Sequence, residues 1–152
     1  MSVIVWDGRS LAADKRATNG TLRSVTTKIW RVRGHLLGYT GDACEGEDLV
    51  AWFTAGALPE AFPAHLRNDS QHWARLLVIT PQRQILTYER GPHPVKFQDD
   101  FFAAGSGRDF ALAAMYLGNN AEMAVAVASH FDTACGDGID VLHLDENDGP
   151  GR

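Results

Sequence analysis

Ser2 stands directly behind Met1 and is small enough to permit removal of the initiator, which would leave a hydroxyl and an α-amine on one residue. An α-amine titrates near pH 7.7 to 8.0, so part of it is neutral at pH 7 and can take the hydroxyl proton. One residue would then be both nucleophile and base. The six histidines (His35, His65, His72, His93, His130 and His143) show neither an HExxH pattern nor Cys/His pairing at zinc spacing, so a metal enzyme is not expected. Two cysteines, Cys44 and Cys135, are too few for a disulfide framework. Asp14, Lys28, Ser106 and Asp132 also carry chemistry-bearing groups, and each has an ordinary alternative. Asp14 could be a strand-end turn residue and Lys28 a solvated strand lysine. Ser106 could be a helix N-cap, Asp132 a helix terminator and Cys135 a small buried residue.

The elements that must position these groups follow from periodicity and punctuation. Val3 to Trp6 and Ser10 to Ala13 flank Asp7-Gly8, a tight-turn dipeptide, so a hairpin begins almost at the chain end. A Gly/Asn/Thr-rich loop spans Thr18 to Thr21, and a strand pair, Thr27 to Val32 and His35 to Tyr39, turns at Arg33-Gly34. Gly41 and Asp42 lead into a helix with Leu49, Trp52 and Phe53 at helical spacing as core. Pro59 and Pro63 punctuate a short helix or loop. Ala74 to Thr80 and Gln84 to Arg90 read as strands, Pro92 and Pro94 restrict the next segment to an edge or loop, and Phe101 to Ala104 reads as a short strand. Ser106 to Asp109 resembles a capping box before a helix with Phe110, Ala113, Ala114 and Leu117 as its stripe. Gly118 ends it; Asn119 and Glu122 cap another, with Met123, Val127 and Phe131 as its stripe. Gly136-Asp137-Gly138 precedes a last strand, Ile139 to Leu144, and residues 145–152 read as a flexible tail.

The chain has 152 residues, 45% apolar and 22% charged, which suits one domain of ordinary globular composition over residues 2–144. Its net charge of −5 and the lack of an aromatic-interleaved basic stripe argue against a nucleic-acid partner. No apolar run approaches the roughly 18 residues of a membrane span. Met1 to Val5 has no basic or apolar leader signature, so a cytoplasmic protein is expected. Hairpins alternating with paired helices predict an α+β fold, a four-layer αββα sandwich.

Motifs at five places in order, the last of them in two parts, resemble the proteasome β-subunit and HslV family of N-terminal nucleophile (Ntn) hydrolases. Ser2-Val3-Ile4-Val5 looks like the mature N-terminus, and Leu11-Ala12-Ala13-Asp14 like the second strand with its catalytic aspartate. Lys28-Ile29 looks like the catalytic lysine on the next strand. Leu37-Gly38-Tyr39-Thr40-Gly41 looks like the specificity-pocket stretch that donates the oxyanion N–H. Ala104-Gly105-Ser106-Gly107 resembles the GSG turn, and Asp132-Thr133-Ala134-Cys135-Gly136 the D-x-x-S-G signature. Two positions depart: serine replaces the usual threonine nucleophile, and Cys135 replaces the signature serine. The stretch from Gly41 to Trp73 is also shorter than the family's helical pair.

The resemblance implies a threonine-peptidase-like endopeptidase with Ser2 as nucleophile after loss of Met1, and no cofactor. Lys28 would be a fixed positive charge held by Asp14. Thr40 and Gly41 would supply the oxyanion donors, and Ser106, Asp132 and Cys135 would complete the site. It also implies peptide or unfolded-protein substrates, a self-compartmentalising homo-oligomeric ring, and an unfoldase ATPase as a partner. Two alternatives stand beside it: a non-catalytic structural subunit, and an Ntn amidohydrolase acting on small amides.

Overall fold

Val3 to Trp6 is buried at every position, as a strand with both faces covered must be. In the computed structural model, which describes residues 2–68 and 73–146, this is strand β1 (Val3–Trp6). It lies between β2 (Ser10–Asp14) and β10 (Phe102–Gly105), and β11 (Ile139–His143) completes an antiparallel four-stranded sheet in the order β10-β1-β2-β11. In the β1–β2 turn Gly8 takes φ +92° while Asp7 does not take positive φ. The Asp7 N–H donates to the Ser10 carbonyl, so Gly8 and Arg9 rather than Asp7 and Gly8 are the central pair. The Asp7 carboxylate accepts the Arg9 and Ser10 N–H groups, and its second oxygen accepts the Ala121 N–H.

A five-stranded antiparallel sheet runs in sequence order: β5 (Ile29–Val32), β6 (His35–Gly41), β7 (Ala74–Ile79), β8 (Ile85–Tyr88) and β9 (Val95–Phe97). Arg33 and Gly34 both take positive φ, which a two-residue hairpin of matching twist demands. Helix α1 (Ala43–Thr54) starts at Asp42, whose carboxylate accepts the Cys44 and Glu45 N–H groups. Its Leu49, Val50, Trp52 and Phe53 pack on Trp30, Leu37, Leu76 and Val78 of the sheet. Two short 3-10 turns, Pro59–Ala61 and Ala64–Arg67, occupy the proline-punctuated stretch.

Helices α2 (Arg108–Tyr116) and α3 (Ala121–Phe131) cover Val3, Val5, Ala12 and Ala103 of the four-stranded sheet. A third cluster draws Ile4, Trp6, Leu11 and Ala13 from that sheet and Ile29, Leu36, Leu77, Ile79 and Ile85 from the other. Among the described residues, three α-helices and antiparallel sheets make a mixed α+β fold.

Four local expectations are corrected. The Thr18 to Thr21 loop is the turn of a separate hairpin, β3 (Arg16–Asn19) and β4 (Leu22–Val25). No residue of it is buried, so the buried alternation that marks a strand is absent. The α2 and α3 stripes point outward at their bulky residues: Phe110, Leu117, Met123 and Phe131 are exposed, while Ala111, Ala114, Met115, Ala121, Ala124, Val125 and Ala128 face the sheet. The small residues let two helices lie close over β1 and β2. Gly107, not Ser106, is the α2 N-cap, because the Ser106 hydroxyl turns toward Ser2 and Cys135. Asn120 rather than Asn119 caps α3, its side chain accepting the Met123 N–H, while Asn119 donates to the Ala114 carbonyl. Met1, His72 and residues 147–152 of the expected tail lie outside the described residues.

Candidate active site

Ser2 sits at the start of β1 and is buried, with 7% of its surface exposed. Opposite it, Val3 pairs with Gly105 of β10. Gly105 takes φ +98°, and a Cβ on it would overlap the Ser2 carbonyl oxygen, so only glycine fits. The same carbonyl accepts the Gly107 N–H at 3.4 Å and lies 3.5 Å from the Ser106 hydroxyl. The GSG turn thus clamps the backbone of Ser2.

Asp14, at the end of β2, is fully buried and accepts four hydrogen bonds. One oxygen takes the Lys28 ammonium at 2.8 Å and the Val3 N–H at 3.0 Å. The other takes the Arg16 N–H at 3.1 Å and the Gly136 N–H at 3.0 Å. Lys28 is 4% exposed and stands just before β5, so it is no solvated surface lysine. A charge so buried is tolerable only when paired and hydrogen-bonded. The carboxylate joins the lysine, the residue after Ser2 and the turn after α3 at one point.

That turn carries Asp132 and Cys135. The Asp132 carboxylate accepts the Ala134 N–H at 2.9 Å and the Cys135 thiol at 3.3 Å; the Ser106 hydroxyl lies 3.9 Å from the Cys135 sulfur. Burial works to raise the Asp132 pKa, but hydrogen bonds from Ser106, the Ala134 N–H and Cys135 outweigh it and hold it below the ordinary value. Cys135 moves the other way. Burial first, then the nearby Asp14 charge and the hydrogen bond to Asp132, push its thiol up to about 12. It stays a neutral donor at physiological pH, unsuited to nucleophilic attack.

Thr40 and Gly41 close β6 beside Ser2. Gly41 takes φ +101° and lies against the Trp73 backbone, where a side chain would clash. Together with Ser2, Trp73, Arg75, Gly105, Ser106 and Arg108 they line an open cleft of about 500 Å³. The eight expected site residues therefore fall in one neighbourhood. Ser2, Thr40, Gly41 and Ser106 face the cleft; Asp14 with Lys28, and Asp132 with Cys135, hold it from behind.

Other contributors escaped the sequence reading. Arg16 ties β3 to the turn after α3, its Nε 2.8 Å from Asp137 and its Nη1 on the Thr133 carbonyl. The hydrogen bond from Arg16 is the main cause of a lowered Asp137 pKa, and reciprocally raises that of Arg16. Gly136 takes φ +143° under the Arg16 guanidinium, and its N–H serves Asp14. The Gly136-Asp137-Gly138 punctuation marked a turn but gave no sign of its partner 121 residues away. Arg75, Trp73 and Arg108 were equally silent, since only the fold brings them to Ser2.

No family model and no curated protein matches the sequence. Solved structures do match. Thiobacillus denitrificans BPH in complex with epoxomicin superposes with a TM-score of 0.68 at 24% identity, covering 96% of this chain and 100% of that one. Thiobacillus denitrificans BPH in a second structure gives 0.63 at 24% identity, over 96% and 99%. Eukaryotic HslV from Trypanosoma brucei gives 0.69 at 21% identity, over 93% and 97%. Coverage is near complete in both directions, and the chain has the HslV and proteasome-like fold.

Proposed function

We propose that the protein is an Ntn peptidase in which Ser2, freed of Met1, attacks a peptide carbonyl. One observation carries this reading: the buried Asp14 carboxylate holds the Lys28 ammonium and the Val3 N–H on the same oxygen. A buried ion pair is expensive, and this one is tethered to the residue behind the candidate nucleophile, where a structural role alone has no need of it. The α-amine of Ser2 takes the hydroxyl proton and later gives it to the leaving amine. Lys28 keeps a fixed positive charge beside both groups, and Asp14 orients it. The Gly41 N–H, with Thr40 lining the cleft beside it, stabilises the tetrahedral oxyanion; one such donor is typically worth about 2.7 to 4 kcal/mol. Ser106, Asp132 and Cys135 hold the amine end, with Cys135 as a thiol donor in place of a hydroxyl.

The three core clusters support the four-layer αββα arrangement, with residues 2–144 as one unit. Among the described residues no helix is long and apolar enough to cross a membrane. The outward apolar side chains of α2 and α3 support self-assembly that encloses the cleft; a cytoplasmic location and an unfoldase delivering peptide or unfolded-protein substrates belong to the same proposal. That BPH was solved with epoxomicin suggests the probe. An epoxyketone or β-lactone should label the Met1-free protein, and Ser2→Ala should abolish labelling while leaving the fold intact by circular dichroism. Undiminished labelling of the Ser2→Ala protein overturns the assignment.

A further inference from the structure

Among the described residues, the charged side chains lining the cleft are both arginines, although the whole chain carries a net charge of −5. Arg75 sits on β7 directly across from Thr40. Its Nε donates to Glu89 at 2.6 Å, and its guanidinium carbon lies 5.9 Å from the centre of the Trp73 ring. Arg108 opens α2 and donates from Nη1 to the Gly105 carbonyl at 3.0 Å, which hangs a second cation over the strand end that clamps Ser2. Its contact with Asp109 is longer, 3.6 Å. Glu89 and Asp109 hold these cations without themselves lining the cleft. Trp73, 47% exposed, adds an aromatic wall.

A guanidinium offers five N–H donors in a fixed fork, and Glu89 engages one side of that of Arg75. An anchored fork beside an aromatic wall fits a carboxylate on a short aliphatic stem. A lysine or arginine side chain of a substrate would meet two like charges there, and a purely aliphatic one would gain only Trp73. We infer that the cleft selects peptides bearing a glutamate or aspartate beside the scissile bond, an inference that rests on Ser2 being the nucleophile.

The test uses fluorogenic peptides identical except for Glu, Gln, Leu or Lys before the reporter. At low salt kcat/KM for Glu should exceed that for Gln by about tenfold to a hundredfold, the range of a charge-assisted hydrogen bond, and the ratio should shrink as salt rises. Arg75→Gln and, independently, Arg108→Gln should each move the Glu/Gln ratio toward one; Arg108→Glu should favour the Lys peptide. The same peptides should bind Ser2→Ala protein with the Glu peptide's dissociation constant lower than the Gln peptide's by that same factor, read by fluorescence anisotropy without turnover. A Glu/Gln ratio of one or less in the unaltered protein, or a ratio undiminished in both arginine variants, overturns the inference. Labelled Ser2 with no acid preference defeats the selectivity alone. Acid-selective binding with unlabelled Ser2 defeats the nucleophile alone.

Discussion

Removing the Asp14 carboxylate and removing the Lys28 ammonium are not equivalent changes, although each breaks the same ion pair. Lys28→Met deletes one charge, and Asp14 keeps three backbone donors from Val3, Arg16 and Gly136. Asp14→Ala leaves a buried ammonium unpaired and also orphans those three N–H groups. Breaking a buried pair typically costs about 3 to 5 kcal/mol, and each buried unsatisfied polar group about 1 to 3 kcal/mol more. Urea unfolding should therefore place Asp14→Ala clearly below Lys28→Met in stability, with both inactive toward peptide. Equal stabilities would mean that the backbone donors of the Asp14 site find other partners.

At the scale of elements, the β3–β4 hairpin is fastened by charge rather than by burial, and Asp137 sets its pH response. Arg16 holds the Asp137 pKa below its ordinary value. A carboxylate whose folded pKa is depressed stabilises the folded state above its unfolded value, near 3.9, and loses that contribution as pH falls through the folded value. Amide-exchange protection across residues 16–25 should hold at neutral pH and fall only below about pH 4. In Arg16→Met it should be low already at pH 7, with slower probe labelling at Ser2, because the turn that serves Asp14 loosens too. Unchanged protection in that variant would show the hairpin to be held by its own ladder alone.

The same elements explain what the sequence made legible. The strands around Ser2, Asp14 and Thr40 announced themselves because they are buried runs bounded by Asp-Gly, Arg-Gly and Gly-Asp. Ser2, Asp14, Lys28 and the GSG turn were legible only as an ordered set of motifs, since none has a distinctive local pattern. The β3–β4 hairpin was not, because exposed strands show no hydrophobic period. The inward face of α2 and α3 was misread because alanine is a weaker hydrophobic signal than phenylalanine or leucine, although close packing over β1 and β2 requires the smaller residue. Arg16 with Asp137, and Arg75 with Ser2, meet only through long-range folding, which no local spacing encodes.

For the whole molecule, the outward face of α2 and α3 is the feature that an isolated chain explains least. Phe110 and Phe131 stack with ring centres 5.4 Å apart, and Tyr116, Leu117 and Met123 are also exposed. Apolar side chains gathered on one face mark an interface more often than a solvent surface. Native mass spectrometry should find an oligomer, and Phe110→Lys with Phe131→Lys should reduce it to smaller species without unfolding the chain. A monomer in the unaltered protein would detach this surface from assembly and the proposed enclosure from the function.

The Asp14 carboxylate also binds the two ends of the chain in time. It is complete only when Val3 and Gly136 both donate to it, and β1 gains its second neighbour only when β10 has been made. Contacts of such long sequence separation form late in folding. A chain emerging from the ribosome therefore carries Ser2 through most of its synthesis without a finished pocket around it. On the proposed reading the nucleophile is made before the pocket that would arm it, and the chain stays inert while it is being synthesised.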